Sequence, residues 1–406
     1  MPRRFVHLAF FLFILTAISG LWLRLFPFLN NAGLPYDHIL HGHSHIAVLG
    51  WAFLGIYVIF IKLLWPTLKE KKHASLLASV IFIVSFIMFF AFLYEGYASY
   101  SIIMSTVHIF VEYWAIIFIY RRLKDHREIP AISQLFMKGA LISLFLSTLG
   151  PFALGYLGAT GLKESALFEM SIYFFLHFQY NGFLTLFLIG LLLMILHRAN
   201  IIFSASLVKK GFWIYFLSLF PWYVSSILWA DLGSFAEIIA SLGSIMQFIG
   251  IVILVLSIRS SFGKIRKNFN PIVTFGLTVT LFLFLVKGFM ELGLIFPGLP
   301  ELVFDTRSVI VGYLHLTLLG FISLLIILQF QMVHMIDVKN KLSLYGTVIF
   351  LIGFILNELI LFFQGLSSWT GGFTLPKSSE LLVLASILLL IGIITYWSTI
   401  PKNETN

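Results

Sequence analysis

Apolar residues run along this chain in blocks of about twenty, the length a helix needs to cross roughly 30 Å of hydrocarbon at about 1.5 Å per residue. The blocks are continuous. They show neither the strict alternation of barrel strands nor the narrow apolar stripe of a soluble helix. Residues 5–26 form the first block, and further blocks fall near 40–65, 74–95, 100–120, 134–157, 168–196, 210–230, 236–258, 271–295, 307–333, 342–364 and 378–398. The first follows Met1-Pro2-Arg3-Arg4 and ends without a small-residue cleavage site, so it is read as an uncleaved span. The pattern predicts an all-α integral membrane protein of about twelve transmembrane helices, forming a single transmembrane domain over residues 1–406.

Composition agrees. Apolar residues make up 60% of the 406 positions and charged residues 11%, and the mean hydropathy is +1.01. The net charge of +9 does not point to nucleic acid, because the basic residues sit in short loops where they set topology. Arg3, Arg4, Lys62, Lys69, Lys71, Lys72, Arg121, Arg122, Lys124, Arg127, Lys138, Arg198, Lys209, Lys210, Arg259, Lys264, Arg266, Lys267, Lys339, Lys341 and Lys402 all fall on one side. Only Arg24, Lys163, Lys287, Arg307 and Lys377 lie at or towards the other. The positive-inside rule then puts both termini in the cytoplasm of a bacterial-type inner (plasma) membrane, with an even number of spans. The absence of cysteine excludes disulfides, thiolate metal sites, iron–sulfur clusters and c-type haem attachment.

The histidines are unevenly spread. His7, His73, His126, His197 and His334 sit at cytoplasmic span ends, as ordinary interfacial residues. His38, His41, His43, His45, His108, His177 and His315 fall in the outer half. The run Leu40-His41-Gly42-His43-Ser44-His45 opens the second span, and ionisable groups inside a bilayer mark functional sites by default. His108, His177 and His315 share one depth, roughly 12–15 Å below the outer end of their spans. Glu112 lies one helical turn after His108, where it can orient the ring or take its proton. Lys287 and Glu291 have the same four-residue spacing on the ninth span, which suits an ion pair.

Without thiolates, neutral imidazole suits haem iron, copper or zinc. Haem between helices needs axial histidines from two spans and small residues to admit the macrocycle, which Gly42, Gly50, Gly55, Gly312 and Gly320 provide. Copper or zinc alone needs three or four converging imidazoles, for which His43, His45, His108 and His177 are candidates, with Glu112 beside them.

The order of these residues resembles the catalytic subunit of the haem–copper oxygen reductases, the superfamily of cytochrome oxidases and nitric-oxide reductases. Those subunits have twelve helices, with metal-binding histidines on the second, sixth, seventh and tenth. His41-Gly42 is similar to the family's low-spin haem motif, and Gly20-Leu-Trp-Leu-Arg24 to its pattern at the end of the first span. His177-Phe-Gln-Tyr180 sits where a copper ligand is expected, and Tyr313-Leu-His315 where a His-x-His pair is expected. The resemblance implies His41 and His315 as axial ligands of a b-type or related haem, with Arg24 beside it. It implies His177 as a variant copper ligand, with His108, His43, His45 and Glu112 available to a rebuilt metal site. Two departures stand out. Pro221-Trp222-Tyr223 replaces the histidine pair of the seventh span, and Tyr313 replaces the first histidine of the tenth.

The function expected from this is a divergent membrane oxidoreductase, carrying electrons from a quinol or cytochrome donor to oxygen or nitric oxide, alone or with further membrane subunits. Two other classes remain open: a copper transporter or handling protein using the outer histidines, and a haem sensor or assembly factor without turnover.

Overall fold

The computed structural model describes residues 3–29, 33–125, 128–372 and 375–401; His126, Arg127 and Lys402 lie outside the described residues. Among the described residues there is no strand, and twelve helices are long and apolar enough to cross a membrane. We number them α1 (Arg4–Phe28), α2 (Tyr36–Leu64), α3 (Lys71–Glu95), α4 (Ser99–Asp125), α5 (Ala131–Ala159), α6 (Ala166–Arg198), α7 (Ala205–Ala230), α8 (Ser234–Arg259), α9 (Pro271–Gly293), α10 (Arg307–Met332), α11 (Lys341–Thr370) and α12 (Ser378–Ser398). The protein is an all-α, multi-pass membrane protein in contact with lipid.

Burial separates these helices into two kinds. The apolar windows of α2 and α6 are 89% and 94% buried within the protein, whereas α12 buries only 33% and turns Leu384, Ile387, Ile391 and Ile394 outwards. A helix apolar on every side is stable in both settings, because lipid and protein solvate apolar side chains about equally. Hydropathy therefore predicts the span and not its depth in the bundle.

The chain forms two compact units: residues 1–115 with 326–406, and residues 116–325. In the first unit α1 packs on α2 and α12, α2 on α3, and α11 on α12. In the second, α5 packs on α6, α7 on α8, α8 on α9, and α9 on α10. Small residues let several of these backbones approach closely. A Cβ placed at Gly250 of α8 would meet the Tyr215 backbone nitrogen of α7 at 2.9 Å, and one at Gly353 of α11 the Leu389 nitrogen of α12 at 2.9 Å.

Candidate functional site

Three helices change their winding at a histidine. In α2 the turn after His45 is a π-helix over Ile46–Ala52. In α6 the π segment is His177–Leu184, and in α10 it is Leu316–Ser323, immediately after His315. A π turn bonds each N–H to the carbonyl five residues back, so the usual i→i+4 partners are lost and some carbonyls must be capped otherwise. They are. The Leu49 carbonyl accepts from His108 Nε2 (3.1 Å) and Ser85 Oγ (3.3 Å). The Asn181 carbonyl accepts from Tyr215 Oη (2.9 Å) and the Leu318 carbonyl from Ser323 Oγ (2.7 Å), while the Tyr180 carbonyl takes both the N–H and the Oγ1 (2.7 Å) of Thr185. Short π segments inside membrane helices recur at functional sites.

The same three histidines mark a change in burial. In α2 only Ile39 and Gly42 are buried before His45, and nearly every residue is buried from Ile46 to Leu64. In α6 no residue from Ala166 to Leu176 is buried, and every residue from His177 to Leu196 is. In α10 none is buried from Arg307 to His315, whereas Leu316, Thr317 and Gly320–Ser323 are. Each histidine is also followed five positions later by glycine: Gly50, Gly182 and Gly320. This threefold His-x4-Gly repeat was readable in the sequence and is the signal that grouping histidines by depth missed.

Hydrogen bonding sorts the rings into two classes. A carbonyl only accepts, so the ring nitrogen that meets it carries hydrogen and, in the neutral ring, the other nitrogen is basic. His45 Nδ1 donates to the His41 carbonyl (2.9 Å), His315 Nδ1 to the Val311 carbonyl (2.8 Å), and His43 Nδ1 to the Thr16 carbonyl (3.0 Å). In these three Nε2 is the basic nitrogen. In His108 and His177 the assignment is reversed, because Nε2 donates to the carbonyls of Leu49 and Leu219 (3.1 and 2.9 Å).

Within the first unit the candidates do not form one cluster. His41 and His45 lie together beside Phe92 and Tyr97, with the His45 ring 4.2 Å from that of Phe92. His43 turns to α1, where it also meets Ser19 Oγ and packs on Gly20. His108 and Glu112 pair at 3.1 Å, both buried, and Glu112 Oε2 is buried without a protein partner. Arg24 donates to Asn357 Oδ1 of α11 (3.5 Å), whose Nδ2 donates to Glu358 (3.0 Å). Two of the histidines assigned to interfaces accept indole N–H bonds, His73 from Trp114 (2.7 Å) and His7 from Trp397 (2.8 Å).

The second unit has a polar centre of its own. Lys287 Nζ lies 2.6 Å from Glu291 Oε1, and Glu291 also accepts from Tyr313 Oη and from Gln247 Nε2 (3.0 Å). The ammonium stands 4.9 Å from the Trp222 ring, which packs edge-on against His177 at 4.6 Å between ring centroids. Asn181 Nδ2 meets His177 Nδ1 at 3.4 Å. Among the described residues no three His, Asp or Glu side chains are grouped to hold a metal ion. No protein-family model matches the chain, and no curated protein matches it.

Proposed function

We propose that this protein is a haem-binding membrane redox protein of the haem–copper oxygen reductase type, divergent in its second site. By the resemblance alone, His315 on α10 and a histidine of α2, each within its own unit, are candidate iron ligands, and the electron donor is a quinol or a cytochrome. One observation carries the reading. His315 and His45 each end a half-exposed helical segment, donate Nδ1–H to the carbonyl one turn back, and keep Nε2 as the basic nitrogen. Backbone bonding of this kind fixes the tautomer and ring plane of a metal-ligating histidine.

His41 matches the motif in sequence, and His45 is the α2 candidate by its ring orientation. The backbone carbonyl of His41, which any residue at that position would supply, orients the His45 ring. His45 and His315 are thus each oriented, within their own unit, as a nitrogen ligand such as haem iron takes. A bound haem supplies a reversible one-electron iron couple whose potential follows its ligands and surroundings. What the chain contributes is ring orientation through the Val311 and His41 carbonyls, aromatic walls at Phe92 and Tyr97, and an apolar interior that excludes water. Oxygen and nitric oxide are the acceptors to test.

The test is a reduced-minus-oxidised optical spectrum of the detergent-purified protein. A sharp low-spin band is expected in the parent. It disappears in His315→Ala and His45→Ala, persists in His41→Ala, which keeps the orienting carbonyl, and is unchanged in His73→Ala. Loss in His41→Ala with retention in His45→Ala would return the ligand role to His41. A parent without any haem band would refute the reading.

A further inference from the structure

We propose that the polar centre of the second unit is built around a cation the protein supplies itself, the Lys287 ammonium, and not around copper held by His177. The proposal goes beyond the haem reading and does not depend on it. The resemblance calls for copper here, with His177 and a histidine pair on α7 among the ligands, and the residues present do not fit that ion.

His177 is committed at both ring nitrogens. Nε2 donates to the Leu219 carbonyl at 2.9 Å, and Nδ1 accepts from Asn181 Nδ2 at 3.4 Å. The ring is 1% exposed. Coordination through either nitrogen would strip a buried carbonyl or a buried amide of its partner, and buried polar groups rarely go unpaired. Pro221-Trp222-Tyr223 supplies no imidazole. Its Trp222 sets an indole against His177, and an indole offers an N–H and a π face but no lone pair for a metal.

That π face is already used by a cation. Lys287 Nζ is 4.9 Å from the Trp222 centroid and 5.8 Å from that of Tyr313. The ammonium is fully buried, and Glu291 Oε1 balances it at 2.6 Å. Tyr313 and Gln247 supply the other bonds to that carboxylate. Charge in a low-dielectric interior must be paired on the spot, and here one carboxylate balances one ammonium. A divalent ion added beside Lys287 would meet a like charge at short range, and among the described residues no group of three His, Asp or Glu side chains is there to offset it. The two parts missing from the resemblance are thus replaced together: Trp222 stands where histidine is expected, and Lys287 brings the positive charge.

Metal content decides the matter. The full chain, purified from copper-supplemented cells, is assayed for copper, zinc and iron per chain and then titrated with Cu(II) under electron paramagnetic resonance. The expected result is substoichiometric copper, and no Cu(II) signal that differs between the parent and His177→Gln. (The glutamine amide can still donate to the Leu219 carbonyl.) One copper per chain, lost in His177→Gln, overturns the proposal. Thermal unfolding gives a second test. Lys287→Met leaves a lone buried carboxylate and lowers the melting temperature sharply, and adding Glu291→Gln recovers most of the loss. Parent-like stability in Lys287→Met alone would also overturn the proposal. The haem spectrum of the same sample keeps the two readings apart: absent haem with absent copper refutes only the haem reading, and haem with His177-dependent copper refutes only this one.

Discussion

Several histidine rings in this protein bond to a backbone carbonyl, in three cases one far away in the chain. His108 illustrates the point. Its Nε2–H caps the Leu49 carbonyl, and one proton lies between its Nδ1 and Glu112 Oε1. Removing the ring strands two buried groups at once, the carboxylate and most of the capping of Leu49. His108→Ala should therefore cost roughly 2–6 kcal/mol, at about 1–3 kcal/mol for each buried polar group left without its partner. Glu112→Gln should cost far less, because its amide N–H still reaches Nδ1. Thermal unfolding in detergent measures both, and equal losses would show that the pair does not act as described. The sequence gives the pairing through the four-residue spacing, but not the carbonyl partner, which lies 59 residues away. The same limit applies to His43, whose partner Thr16 is 27 residues away, and to His177, whose partner Leu219 is 42 residues away.

At the scale of elements, the hydropathy pattern finds every span and misses how three of them are wound. The α12 bounds match at both ends, whereas α4 and α11 run on to Asp125 and Thr370, past the expected ends at 120 and 364. Those last turns are helical but polar, so an apolar window stops short of them. The π segments are invisible to the same window, since adding one residue to a turn leaves hydropathy unchanged. Their signature is chemical: a hydroxyl five residues after a carbonyl it caps, as in Thr185 and Ser323. Replacing Thr185 with isosteric valine removes the hydroxyl bond to the Tyr180 carbonyl in a fully buried segment but leaves the Thr185 N–H on it, and should cost about 0.5–1.5 kcal/mol, the worth of one buried hydrogen bond. Thr278→Val, at an exposed hydroxyl that bonds back to Thr274, is the control and should be nearly neutral. A neutral Thr185→Val would mean that the hydroxyl does not support the π turn.

A protein of twelve spans fits a bilayer either way up by hydropathy. Charge breaks the symmetry: the loops with most of the lysine and arginine alternate with loops that have few, as a protein with cytoplasmic termini requires. On this assignment the histidine-bearing N-terminal segments of α2, α6 and α10 face the outside. The cysteine-free sequence makes the test clean, since any introduced thiol is the only one present. Thr160→Cys lies in the exposed connection between α5 and α6, and Ser260→Cys in the exposed turn after α8, so neither disturbs a packed face. In intact cells a membrane-impermeant maleimide should label the cysteine at 160 and not the one at 260, and permeabilised cells should expose both. The reverse pattern would turn the histidines to the cytoplasm. A periplasmic electron donor would then be excluded, and quinol, which is soluble in the bilayer and reaches either face, would be left as the donor consistent with the haem reading.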